Sequence, residues 1–205
     1  MLLELDDCQL VLVDYQTKLM PVIAHADEVL ARALLLARAA QALGVPAWGT
    51  EQNPQRLGPN APELLALCQQ TFSKMHFSAC ESGLIDALRP PERPAAPKPA
   101  GNARSLPRHL QKPAAAPAPE RQTVLIAGCE AHVCLLQTAL GLLEREFDVW
   151  VVTDACGSRR ERDRDAAFDR LAHNGVELVT SEMVLFEWLQ HCEHPRFREL
   201  LALIK

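Results

Sequence analysis

The stretch from Thr123 to Leu143 constrains the fold of this chain more than any other. Thr123 to Ala127 is a short apolar run with β-branched residues, closed by Gly128. Such a run fits a buried parallel strand. From Cys134 onward the apolar spacing turns helical, through Leu135, Ala139, Leu142 and Leu143. Strand, tight loop and helix therefore follow one another at once. Cys134 falls at the junction, at the carboxyl edge of the sheet and in the first turn of the helix. Sites in open α/β sheets form at that edge. The free N–H groups and positive end of a helix favour thiolate over thiol, so Cys134 is expected to titrate low. The plainer alternative is a small, buried, apolar cysteine.

The rest of the chain repeats this alternation. Cys8 to Asp14 is an apolar run ending in an acid and reads as a first buried strand. Asp27 reads as an N-cap, followed by a helical pattern through Leu30, Leu34, Ala37 and Leu43 that stops at Gly44. Val45 to Thr50 reads as a second strand. Residues 53–62 hold three prolines and a glycine and read as loop. Pro62 to Cys68 and Ser82 to Leu88 read as short helices, with Thr71 to Phe77 extended or irregular between them. Later come a strand from Phe147 to Thr153, a charged amphipathic helix from Arg160 to His173, a strand from Val176 to Thr180, a helix opening at Ser181 as a candidate cap, and a terminal helix from Pro195 to Ile204. Strands alternating with helices, with almost no hairpin signal, imply an α/β fold whose mainly parallel sheet is covered on both faces.

Arg89 to Glu120 breaks the pattern, with nine prolines in thirty-two residues and few large apolar groups. Such a segment buries too little surface to fix one conformation. It either separates two domains or forms a surface insertion in one. Neither flank alone makes a complete layered domain. The expectation is one domain over residues 1–205 with a Pro/Ala-rich insertion at about 90–120, whose removal costs little stability.

Charge and composition narrow the partners. The net charge is −5 and there is no basic stripe, which argues against nucleic acid. The apolar runs are broken by Arg, Gln or Glu and are too short to span a bilayer, and no signal peptide is seen. Seven cysteines, an odd number with no CxxC pair, indicate neither a disulfide framework nor a zinc ribbon. A reducing, cytoplasmic setting fits.

Three reactive residues sit at strand ends or in the loops beside them: Asp14, Lys74 and Cys134. Parallel strands all point one way, so these ends converge on one edge. A cysteine nucleophile needs a base to take its proton and a positive charge to favour the thiolate. Asp14 can supply the first and Lys74 the second. Each residue alone is weak evidence, since an Asp at a strand end is often only a turn former.

The ordered motifs match a known family. They are Leu12-Val13-Asp14-Tyr15-Gln16, Thr50-Glu51-Gln52, Leu57-Gly58-Pro59, Phe72-Ser73-Lys74 with Phe77-Ser78, the block from Gly128 to Leu140, Val152 to Arg160, and Thr180 to Glu187. On these the chain resembles the isochorismatase-like cysteine hydrolases, in particular the isochorismatase domain-containing proteins. The resemblance implies a Rossmann-like three-layer α/β/α sandwich with a six-stranded parallel sheet. It implies a catalytic triad of Asp14, Lys74 and Cys134. It also implies a cis peptide bond between Cys129 and Glu130, and an oxyanion hole made by the backbone N–H groups of Glu130 and Cys134. Family members commonly form homo-oligomers, dimers or larger.

The departures matter. Nicotinamidases of the superfamily carry an Asp-x-His metal pattern after the second strand, where this chain has Thr50-Glu51-Gln52. No metal or other cofactor is therefore expected, and nicotinamide is disfavoured. The long insertion is atypical of the family.

Gln16, Trp48, Phe77 and His132 are candidate pocket-lining residues, although aromatic residues at strand ends are as often core. Cys129 and Cys134 could form a redox pair. His76, Cys80, His132 and Cys134 fit no closed zinc spacing. Arg159, Arg160 and Arg162 read as an exposed helix start. Three function classes remain open. The leading one is a cysteine hydrolase of a small amide-type substrate, acting through a thioester and without metal. The others are a non-catalytic member of the fold that binds a small molecule or a partner, and a thiol redox protein.

Overall fold

The structure is a computed structural model that describes residues 2–90 and 121–204. Its core is one six-stranded, all-parallel sheet in the order β3-β2-β1-β4-β5-β6. The strands are β1 (Cys8–Val13), β2 (Ala47–Gln52), β3 (Gln70–Lys74), β4 (Thr123–Gly128), β5 (Asp148–Val152) and β6 (Glu177–Val179). The helices are α1 (Ala26–Leu43), α2 (Pro54–Leu57), α3 (Pro62–Leu65), α4 (Leu84–Leu88), α5 (Leu136–Leu143), α6 (Glu161–His173), α7 (Ser181–Leu189) and α8 (Phe197–Ile204).

The two central strands, β1 and β4, are buried at every position. This is why they read as unbroken apolar runs rather than alternating ones. Each fully buried Leu, Ile or Val there contributes about 1.5–3 kcal/mol relative to exposure. Helix α1 contacts α3, α7 and α8, whereas α5 contacts α6. The sheet thus lies between two helical layers, as the sequence pattern predicts.

Several boundaries move. The N-cap of α1 is His25, in a left-handed conformation, and Asp27 lies inside the first turn. There its negative charge still complements the helix dipole. Gly44 ends α1 with φ 76°, a conformation that favours glycine. Strand β2 starts and ends two residues later than expected, and residues 54–57 form a helical turn rather than irregular loop. Thr180, not Ser181, caps α7, its hydroxyl accepting from the Met183 N–H.

The expected Pro/Ala-rich insertion lies outside the described residues, but its two flanks are held together. The buried amide of Gln9 donates from Nε2 to the carbonyls of Leu88, at 3.1 Å, and Arg121, at 2.9 Å. Arg89 reaches across the same gap to the Gln122 Oε1 at 2.9 Å, while its guanidinium stacks on the Phe147 ring.

Candidate active site

Asp14 follows β1 directly, in a left-handed backbone conformation with φ 56°. Asp tolerates this region better than most residues. Its carboxylate is fully buried and accepts two hydrogen bonds. Thr50 donates from Oγ1 to Oδ1 at 2.7 Å, and Lys74 donates from Nζ to Oδ2 at 2.7 Å. The Lys74–Asp14 pair is out of contact with water, with side-chain exposures of 1% and 0%. A buried pair of this kind holds only where hydrogen bonds satisfy both partners. Lys74 meets that condition with a second bond, to Gln52 Oε1 at 2.7 Å.

Cys134 completes the cluster. It lies in a π-helical turn, Ala131–Leu135, that precedes α5, not in the first turn of a regular α-helix. Its sulfur is 3.9 Å from Gln52 Oε1 and feels both Asp14 and Lys74. The expectation of a low-titrating thiol is overturned. Burial pushes the Cys134 thiol up to about 12, and the Asp14 charge adds to this against the opposing pull of Lys74. Desolvation penalises the charged form, and one ammonium already shared with a carboxylate does not offset it. Burial thus favours the thiol form of Cys134 beside the Lys74–Asp14 ion pair.

The Cys129–Glu130 peptide bond is cis. Among the described residues the Glu130 N–H has no hydrogen-bond acceptor, whereas its side chain is engaged by the Arg159 N–H and Nε at 2.9 and 3.0 Å. Gly128 makes this turn feasible: a Cβ added there would collide with the Val13 carbonyl oxygen.

The candidate lining residues separate. Gln16 is fully buried and its amide is used up on backbone groups, donating to the carbonyls of Gln52 and Gly58 and accepting from the Gln52 N–H. It holds the backbone of Gln52 through both its N–H and its carbonyl. Trp48 does not line the site. Its indole donates to Gln9 Oε1 at 3.3 Å, and Gln9 lies five residues before Asp14 on β1, about 16 Å away at the rise of a strand. His132 is half-buried and bonded through Nδ1 to Ser158 Oγ at 3.0 Å. Phe77 and Met75, just beyond Lys74, are 52% and 70% exposed.

Sequence reasoning assigned no role to Thr50 or Gln52. The signal was present in the Thr50-Glu51-Gln52 motif, but only the β2–β3 register, which pairs Gln52 with Lys74, reveals it. All seven cysteines are free thiols. Among the described residues, no group of three or more His, Cys, Asp or Glu could hold a metal ion. No helix among them is long and apolar enough to cross a membrane.

The six-stranded, all-parallel sheet between helical layers is shared with solved proteins of the isochorismatase fold. The isochorismatase domain matches residues 8–183. The chain is 35% identical over 196 residues to isochorismatase domain-containing protein 2 of Rattus norvegicus, covering 96% of this chain and 80% of the rat protein. The structure of MAR1 ribonuclease from Caenorhabditis elegans is similar with a TM-score of 0.81 at 30% identity, covering 100% of this chain and 92% of that one. The YcaC gene product of Escherichia coli, an octameric hydrolase of unknown specificity, shares the fold with a TM-score of 0.76 at 24% identity, covering 98% and 95%. The chain belongs to the isochorismatase family.

Proposed function

We propose that this protein is a cysteine hydrolase that cleaves a small amide-type C–N bond without a metal. The observation that carries the reading is the buried Lys74–Asp14 pair at 2.7 Å, linked through Gln52 Oε1 to the Cys134 sulfur. Asp14 takes the thiol proton as Cys134 attacks the carbonyl carbon, so the high resting pKa is relieved only as the C–S bond forms. The N–H groups of Glu130 and Cys134 hold the oxyanion. The amine leaves with the proton from Asp14, giving a thioester. Water then attacks the thioester, Asp14 takes its proton, and the acid product departs as the thiol is restored. Lys74, donating to Asp14 and Gln52, keeps Asp14 and the sulfur in register.

Isochorismate is a vinyl ether, whose hydrolysis needs no acyl-enzyme, so a cysteine nucleophile points away from it. The Asp-x-His pattern of the nicotinamidases is replaced by Thr50, bonded to Asp14, and Gln52, bonded to Lys74. The test is a panel of small amides, isochorismate, nicotinamide and RNA, each with and without chelator and with Cys134→Ala as control. The RNA arm answers to the name of the Caenorhabditis elegans protein. Turnover confined to amides, insensitive to chelator and lost in Cys134→Ala, is the expected result. Activity confined to isochorismate or RNA, or lost on chelation, overturns it.

The near-complete burial of Cys134, at 6% exposure, favours one second reading, a non-catalytic member of the fold that binds a small molecule. No turnover on the panel, together with a thermal shift on adding one of its members, selects that reading.

A further inference from the structure

We propose that Gln52 is a positioning residue that fixes the Lys74 ammonium between Asp14 and Cys134 without cancelling its charge. The inference rests on the cysteine-hydrolase reading of the site.

Gln52 and Lys74 are direct partners across β2 and β3, so both side chains leave the sheet on one face. The orientation of the Gln52 amide is determined by its neighbours. An ammonium only donates and a carbonyl only accepts. Oε1 must therefore face Lys74, at 2.7 Å, and Nε2 must face the Met75 carbonyl, at 2.9 Å. The backbone of Gln52 is clamped in turn by the buried Gln16 amide, which accepts from its N–H at 2.8 Å and donates to its carbonyl at 3.0 Å. Two of the three Lys74 N–H groups are thus committed, to Asp14 and to Gln52, and the Gln52 Oε1 that receives one of them lies 3.9 Å from the Cys134 sulfur.

The neutral amide is the chemically significant choice. Burial and Asp14 already hold Cys134 in its thiol form, and Lys74 is what opposes them. A carboxylate at position 52 would accept the same Lys74 bond but would neutralise the ammonium and add a negative charge near the sulfur. An apolar side chain of the same length would leave the buried Lys74 held by Asp14 alone. Both changes disfavour the thiolate, the first more strongly.

The test measures alkylation of each cysteine by iodoacetamide at mildly alkaline pH, by peptide mass spectrometry, in wild type, Gln52→Glu and Gln52→Met. In Gln52→Glu, labelling of Cys134 should slow by about tenfold, equivalent to one pKa unit, with a smaller slowing in Gln52→Met. Labelling of buried Cys8 and Cys156 should not change. A merely structural role predicts the opposite sign, because a loosened site exposes Cys134 and speeds its labelling. Unchanged or faster labelling of Cys134 in both variants overturns the proposal. On an amide substrate, kcat should fall in both variants with KM little altered, and an unchanged kcat overturns the proposal equally. The alkylation measurement needs no turnover, so failure of the hydrolase reading is seen separately, as turnover that survives in Cys134→Ala.

Discussion

Leu88 and Arg121 share one hydrogen-bond donor, the buried Nε2 of Gln9, although the whole Pro/Ala-rich stretch separates them in sequence. The chain therefore leaves the domain and returns to it at one place. We propose that the stretch is an excursion from a single domain. Replacing residues 91–117 with a short linker should leave the melting temperature unchanged or raise it by a few degrees, because closing a shorter loop costs about 1–2 kcal/mol less entropy. Calorimetry on the shortened chain checks this; failure to fold would show that those residues belong to the core.

The Lys74–Asp14 pair makes its own prediction. Lys74→Met or Asp14→Asn leaves one buried charge without its partner, and each should lower stability by about 3 kcal/mol or more. The double variant should recover most of that loss, since two neutral groups then face each other, yet it should remain inactive. Denaturant titration of the three variants measures the coupling. Additive losses would mean that the two residues do not act as a pair.

Buried thiols couple the stability of the fold to alkaline pH. Burial raises Cys8 from 9.0 to about 11, and Cys134 and Cys156 to about 12. A raised folded-state pKa means that the folded chain keeps a proton which the unfolded chain has already released. This stability is fully present below about pH 9 and is lost as pH rises through about 11 to 12. Each thiol removes up to about 1.4 kcal/mol per pH unit in that window. Melts taken on either side of about pH 9 should show the decline, and Cys156→Ala should make it shallower by one thiol's share, up to about 1.4 kcal/mol per pH unit. A flat profile in the wild type would refute the assignment.

Gly128→Ala should destabilise by about 2–3 kcal/mol. The added Cβ meets the Val13 carbonyl oxygen, and its distance to Val13 Cβ is only 2.6 Å. Gly175→Ala is the control. It too has a left-handed backbone, with φ 88°, but nothing lies within 4 Å, so it should cost only about 1 kcal/mol. Because Gly128 leads into Glu130, its substitution should also depress turnover, while that of Gly175 should not.

Self-association is the fifth expectation. Leu185, Trp188 and Leu189 of α7 are buried in the monomer, but Met183 and Phe186 stay exposed beside one another's turn. We propose that these two residues lie in an interface between copies of the chain. Light scattering should report a dimer or larger assembly, and Phe186→Glu should shift it toward monomer. A monomeric wild type at micromolar concentration refutes this.

The layered architecture was legible because β1 and β4 are buried on both faces and so carry uninterrupted apolar runs. The convergence of Asp14, Lys74 and Cys134 was legible too, since parallel strands bring their carboxyl ends to one edge. What failed depends on tertiary environment. The titration of Cys134 is set by burial and by Asp14, which outweigh the helix terminus that sequence spacing suggested. The role of Gln52 depends on strand register, and register is not written in either strand alone. Trp48 sits on the correct strand but at its far end, a distinction that depends on where β2 begins, and β2 begins two residues later than the apolar run implied.

The strand order has a consequence for the chain as it is made. β1 is central only because β4 pairs along its whole length, from Cys8 with Thr123 to Val13 with Gly128. Without β4, a half-sheet β3-β2-β1 would end in β1 as a bare apolar edge. Such an edge is a template for pairing with another chain. The proline-rich stretch lies between α4 and β4 in sequence, so it is made before the strand that covers that edge.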